Sequence, residues 1–289
     1  MSKIRKTIIV SYQRLTKFAP HHMRITPFQT RYGEIHSRGG AKLRYTYNDA
    51  ESVSKSWKKL SPGLPDELRV VLIDPNLHDV ETTIKCMSGQ LRNFPEVFGL
   101  NLFFAGHGQD STGNLVLSRG SLSPTRFLEL QAEDVGLSDR RRIGVFLDSC
   151  YSGAFLVKLV IEAYELFEGF SLKDSLVSCL PDEKSHEKEY LEHGVFTYTH
   201  LNKGNSYVDL SRFREAILKN DSIELQKGLQ GLVGQMSNAT AFLTEGKQFS
   251  MSLFSNVLIV DGGFAEVELN ERSDYESVKA DLTRFKYPI

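Results

Sequence analysis

Apolar residues in this chain alternate between short continuous runs and stretches spaced three and four apart. That alternation predicts strands and helices in turn, the signature of an α/β protein built on a mostly parallel sheet. Thr7–Tyr12, Leu68–Ile73, Phe98–Phe104, Ile143–Leu147 and Ser175–Cys179 read as strands. Leu68–Ile73 is continuous in Val and Leu, as a strand covered on both faces should be. Between them, Asn48–Leu60, Asp79–Leu91, Ser123–Gln131 and Ser152–Phe167 read as helices. Ala50, Val53 and Trp57 mark the buried stripe of the first. Ser123 can cap the third, and Pro124 suits its first position. Ser152–Phe167 is apolar nearly all round, which predicts a helix buried against the sheet.

Beyond residue 180 the pattern changes. Pro181 to His193 is charged and turn-rich and predicts an exposed loop. Val195–Leu201, Leu210–Leu218 and Ile223–Val233 look helical, and Thr240–Thr244 and Val257–Val260 look like late strands. No repeat or low-complexity tract divides the chain. We therefore expect one domain over residues 1–289, with the chemistry within about 7–202 and C-terminal helices and late strands in 203–289.

Composition narrows the class. The 289 residues are 40% hydrophobic, enough for a large core without disulfide or metal staples. No apolar run approaches the ~18 residues of a membrane span. The basic Met1–Lys6 precedes too short an apolar patch for a signal peptide. Cys86, Cys150 and Cys179 form no CxxC pair, and their odd number fits a reducing, cytoplasmic setting without structural zinc. The net charge is −1, unevenly spread. Lys3 to Arg44 holds 10 Lys/Arg and one acid, Glu34, leaving 25 of the 35 basic and 35 of the 36 acidic residues to the rest. No aromatic–basic interleaving accompanies this arm, so a solvated loop is the expectation and nucleic acid is not an expected partner.

The candidate chemistry lies at two strand ends. The third strand runs into Ala105-Gly106-His107-Gly108, and the fourth into Asp148-Ser149-Cys150-Tyr151-Ser152-Gly153. Ligands of open parallel sheets bind outside the carboxyl ends of the strands. If these strands are neighbours, His107 and Cys150 emerge side by side. A thiol nucleophile and a group that protonates a leaving amine are what thiol acyl transfer requires. Gly108 leaves room for a substrate backbone, and its N–H with that of Cys150 can form an oxyanion hole. Taken singly, each residue has an ordinary reading: a surface His, and a free Cys acting as a small buried hydrophobe.

The two boxes resemble the His and Cys boxes of caspase-like peptidases, and metacaspases and their bacterial relatives more than animal caspases. Tyr47-Asn48-Asp49-Ala50 is similar to the family's Asn-Asp-Ala segment. Ser178-Cys179-Leu180-Pro181-Asp182-Glu183 and His193-Gly194-Val195-Phe196-Thr197-Tyr198 are similar to its fifth strand and following helix. The resemblance implies a three-layer α/β/α caspase-like sandwich. It implies His107 as general acid/base, Cys150 as nucleophile, and Asp49 and Asp148 as the acids that bind the residue before the cut bond. The expected activity is thus cysteine endopeptidase cleavage of protein or peptide substrates after Arg or Lys. Calcium-dependent metacaspases carry acid-rich loops after the His box. Gln109–Gly120 holds one acid, Asp110, which argues against a calcium requirement, and no other cofactor is expected. The family is often activated by cutting beyond the fourth strand, which directs attention to Lys173, Lys184 and Lys188 and to an activating protease or regulatory partner. Bacterial members often serve in defence or regulated cell death. Two other readings stand beside this one: a catalytically silent caspase-like binding module, and a thiol hydrolase of small esters or amides. The latter would not bring Asp49 and Asp148 together.

Overall fold

The structure, a computed structural model, describes residues 7–14, 43–60, 69–90, 97–132, 141–166, 170–172, 175–203, 240, 243–244, 247–254, 257–260, 265–270 and 272–284. The chain begins with β1 (Thr7–Arg14), α1 (Thr46–Leu60), β2 (Arg69–Ile73), α2 (Leu77–Gln90) and β3 (Val97–Gly106). A small hairpin of β4 (Leu115–Val116) and β5 (Ser121–Leu122) leads to α3 (Pro124–Ala132), β6 (Arg141–Ser149) and α4 (Ser152–Leu166). After β7 (Phe170–Leu172) and β8 (Ser175–Val177) comes a second hairpin, β9 (Glu187–Lys188) and β10 (His193–Gly194). It is followed by α5 (Val195–Lys203), β11 (Met251–Phe254), β12 (Val257–Val260), β13 (Ala265–Glu268) and α6 (Tyr275–Arg284).

The main sheet has the order β13-β12-β11-β8-β6-β3-β1-β2, with β7 also beside β6. Its centre is parallel: β6 pairs in parallel with β3, β7 and β8. β1 is inserted antiparallel between β2 and β3. β11, β12 and β13 extend the other side as an antiparallel meander.

The two-residue period of the strands sorts the core into two layers. Leu100, Leu102 and Phe104 of β3 and Ile143, Val145 and Leu147 of β6 face α2, α3, α4 and α6. Phe103, Ala105 and Phe146 face the other way, onto Ala50, Val53 and Trp57 of α1 and Leu201 of α5. Helices therefore cover both faces, which is why the central strands are continuously apolar. Helix α4 is buried as its composition requires: Phe155, Leu156, Val157 and Leu159 are wholly inaccessible. The Ser123 hydroxyl accepts the Arg126 amide at 3.1 Å and caps α3.

Two expectations are corrected. Thr240–Thr244 is not a strand: the Thr244 amide donates to the Thr240 carbonyl at 3.1 Å, a helical i→i+4 bond. Nor is Pro181–His193 simply an exposed loop. Asp182, Lys184, Glu189, Tyr190 and Glu192 are exposed, but Glu183 is buried, its carboxylate accepting the Leu180 and Phe249 amides at 3.1 and 3.0 Å. The expected helices at 210–218 and 223–233, Lys173 and most of the basic arm lie outside the described residues. Among the described residues, no helix is long and apolar enough to cross a membrane.

Candidate active site

Strands β3 and β6 end together. Their parallel register pairs Ala105 with Asp148 and Gly106 with Ser149. His107 and Cys150 are the next residue on each strand, so they leave neighbouring carboxyl ends at the same level. Both are half-buried. Cys179 is buried and Cys86 exposed on α2, far along the chain from either box.

Gly108 serves a different purpose from the one expected. The space beside its Cα is filled by the backbone of Cys150 rather than kept for a substrate: a Cβ there would lie 2.9 Å from the Cys150 carbonyl carbon and nearer still to its oxygen. The N–H remains a candidate oxyanion donor. Gly108 forms an antiparallel bridge with Leu115, and the flanking bonds are Val116 N–H to His107 O and Gln109 N–H to Asn114 O, both 2.9 Å. That is the non-hydrogen-bonded type of pair, so the Gly108 N–H points away from Leu115.

Cys150 stands on a sharp turn between β6 and α4. Tyr151, next in sequence, has φ 57°, the left-handed region that a bulky residue seldom adopts. Its N–H donates to the Glu183 carbonyl at 2.8 Å, which helps to hold the turn. Such strain, of order ~1–3 kcal/mol, persists where surrounding contacts over-determine it. The Cys150 thiol donates to the Ser185 carbonyl at 3.8 Å. Burial pushes this thiol up; the Ser185 contact works against that, and the Asp148 charge adds to it. The resting group is therefore the thiol. Cys179 is pushed up to about 12 by burial, a packing cysteine among Ser152, Ser149 and Glu183.

The two acids meet at one glycine. Asp148 shares the face of Phe146, two residues before it, which is the α1 face. Its Oδ2 accepts the Thr197 N–H at 3.1 Å and hydroxyl at 2.7 Å, and its Oδ1 accepts the Ser185 hydroxyl at 2.6 Å. Asp49, in the first turn of α1, accepts the Gly194 N–H on both oxygens at 3.2 Å and contacts His193 Nδ1 at 2.8 Å. Gly194 in turn lies flat against Asp148: a Cβ would sit 2.9 Å from Asp148 Cγ and closer to Oδ2. Asp49 thus does not cap its own helix. The backbone ahead of α1 is held instead by Glu187, which accepts the Arg44 and Tyr45 amides at 2.9 and 3.2 Å. Burial raises Asp49 to about 7; the His193 hydrogen bond opposes this and the Asp148 charge adds to it. Burial also raises Asp148, against its bonds from Ser185 and Thr197.

Ser185, His193, Gly194 and Thr197 are site residues that the sequence reading left without a role. Gln248 supports them, taking the His186 amide on its oxygen at 2.9 Å and donating to the Ser178 carbonyl at 3.0 Å. The one legible signal was glycine flanked by His193 and an apolar helix start. An apolar crevice between α1 and α5, bounded by Val53, Trp57, Phe146 and His200, is separate from Cys150. Burial lowers His200 to about 4, so it is neutral there. Among the described residues, no group of three His, Cys, Asp or Glu side chains comes together to hold a metal ion. No protein-family model, curated protein or solved structure matches this chain.

Proposed function

We propose that this protein is a caspase-like cysteine endopeptidase that cuts after Arg or Lys. The carrying observation is the β3/β6 register, which sets His107 and Cys150 on adjacent parallel strand ends, while Asp148 and Asp49 converge at Gly194 nearby. In this reading the sandwich is the caspase-like one. Cys150 Sγ attacks the scissile carbonyl and its proton passes to His107. The tetrahedral oxyanion is met by the N–H groups of Gly108 and Cys150, donors whose individual loss typically costs ~10²–10³ in rate. His107 then protonates the leaving amine, and water resolves the thioester.

The acid pair suits a guanidinium or ammonium and repels a carboxylate. At ~4 Å and an effective dielectric near ~20, a like-charge contact costs about 4 kcal/mol. Meeting of the two acids weighs against a hydrolase of small esters or amides, which has no use for them. The segment carrying Ser185 holds the Cys150 thiol and Asp148 together, so in this reading substrate binding displaces the Ser185 contact with the thiol. Cutting or displacement near Lys173–Lys188 is the activating event in this reading, by the protein itself or by a partner protease, with His193 and Gly194 staying on the two acids.

The test is cleavage of fluorogenic peptides ending in Arg, Lys, Asp and Leu, with Cys150→Ala as control. A second reading, a silent caspase-like module, is favoured by that same tie of the thiol to Ser185. A chloromethyl ketone bearing Arg separates them: labelling of Cys150 supports the peptidase, and an inert thiol supports the module.

A further inference from the structure

We infer that His193 is a specificity-determining positioning residue, the side chain that holds Asp49 as an anion beside Asp148 for a basic substrate group. The inference rests on the peptidase reading above. It starts from the donors available to Asp49. An ionised carboxylate only accepts hydrogen bonds, so in that state His193 Nδ1 carries a proton and donates it across 2.8 Å. The other donor is the Gly194 N–H, shared between both oxygens at 3.2 Å. That amide belongs to the backbone and is fixed. Among the described residues, His193 is thus the side chain whose donor distinguishes charged from neutral Asp49.

The placement of His193 follows from the hairpin. β10 consists of His193 and Gly194 alone, paired with Lys188 and Glu187. The Glu192 carbonyl accepts a hydrogen bond from Asn48 Nδ2 of α1 at 2.9 Å, pinning the hairpin end to the helix that carries Asp49. Two residues later, Gly194 packs on Asp148. A two-residue strand therefore touches both acids: His193 and the Gly194 N–H bond Asp49, and the Gly194 Cα packs on Asp148. The charged or titratable groups around the pair are Asp148 from β6, Glu187 and Lys188 from β9, and Tyr198 from α5, whose ring centroid is 6.3 Å from that of His193. Asp148 repels the Asp49 charge. With the His193 side chain gone, that repulsion and burial favour the neutral acid, which no longer discriminates Arg from Leu.

The expected behaviour is selective. His193→Ala should raise KM for Arg peptides by about fivefold at pH 7, the drop in the ionised fraction when a carboxyl that titrates at about 7 moves up by about one pH unit. The loss should shrink at about pH 9, where Asp49 ionises regardless. Because the pocket binds substrate and transition state alike, kcat should hold. His193→Gln, which retains a neutral donor, should recover most of the KM. Alkylation of Cys150 by iodoacetamide should be unchanged in both variants, which shows an intact site. A His193→Ala enzyme with parental KM at pH 7, or a defect equal at pH 7 and 9, overturns the proposal. Should the parent cut no Arg peptide, the peptidase reading fails on its own. His193 is then judged by proton NMR of the full chain. A hydrogen-bonded imidazole N–H resonance that disappears in His193→Gln and moves in Asp49→Asn upholds its hold on Asp49, and absence of that resonance in the parent refutes it.

Discussion

The carbonyl of Cys150 rests against the Cα of Gly108, leaving no room for a side chain between the His box and the Cys box. Gly108→Ala must push one of the two loops aside. Because the methyl would meet backbone rather than a flexible side-chain tip, the shift falls on the nucleophile itself. A displacement of ~1 Å can cost ~10²-fold in rate. Gly108→Ala should therefore lower kcat by about that factor with little change in KM. Steady-state kinetics decide; a parental kcat would mean that the contact is slack.

Three cysteines give an internal control. Cys150→Ala should abolish peptide cleavage and leave the unfolding midpoint nearly unchanged, since among the described residues the thiol's hydrogen bond is a long one, 3.8 Å to Ser185. Cys179→Ala removes a buried thiol bonded to backbone carbonyls at 3.3 and 3.4 Å and should cost about 1 kcal/mol of stability while keeping turnover. Cys86→Ala, at an exposed helical position, should change neither. Turnover by the Cys150 variant would end the assignment.

Specificity should follow the two acids unequally. Asp148→Ala strips the partner from Thr197 and Ser185 and half of the pocket's charge, so kcat/KM for Arg peptides should fall by more than tenfold. Asp49→Ala should weaken Arg recognition too, with a smaller loss near neutral pH, where the raised Asp49 is only partly ionised. A parent enzyme that prefers Asp over Arg before the cut bond would refute the basic-residue reading outright.

Asp49 should also leave a mark on stability. Its folded pKa of about 7 lies above the ordinary 3.8, so the folded chain holds more protons than the unfolded chain between those values. Stability contributed by this group therefore falls as pH rises through that window, by roughly 4 kcal/mol in all. Asn at this position cannot ionise. Asp49→Asn should be more resistant to urea than the parent at pH 8 and similar to it near pH 4.5. Equal destabilisation at both values would contradict the burial of the charge.

Processing can be read from intact mass. Lys184 is exposed, yet its neighbours Glu183 and Ser185 are both tied down, and Lys188 is paired in β9. Activation that cuts this segment should yield fragments ending near these lysines, together with faster alkylation of Cys150 as Ser185 withdraws. An undivided chain at full activity would exclude cutting and leave displacement.

The sequence made the boxes legible because strand ends, glycines and a chemically distinctive pair coincide there. It also marked α4, the Ser123 cap and the continuous central strands, where one physical rule dominates each segment. The rest depends on long-range placement. Asp49 and Gly194 stand 145 positions apart, and nothing local to either reports their bond. The anchoring of Pro181–His193 escaped because charge and turn residues suggest exposure, whereas Glu183 and Ser185 each find buried partners. Thr240 and Thr244 favour strands by β-branching, but the Thr244 hydroxyl also bonds back to the Thr240 carbonyl at 2.8 Å, in keeping with a helical turn.

The insertion of β1 carries a consequence for assembly. Thr7 pairs with Ile73 on one side and Ala105 on the other, so this strand is an interior member of the sheet although it comes first in the chain. During synthesis its second partner, β3, emerges only after β2, and until then one side of β1 has no strand to pair with. Deleting Thr7–Arg14 would not trim an edge. It would cut β2 loose from the sheet and turn β3, the strand that delivers His107, into an open edge available to other chains. Truncations at this end should accordingly produce aggregation before they produce loss of chemistry.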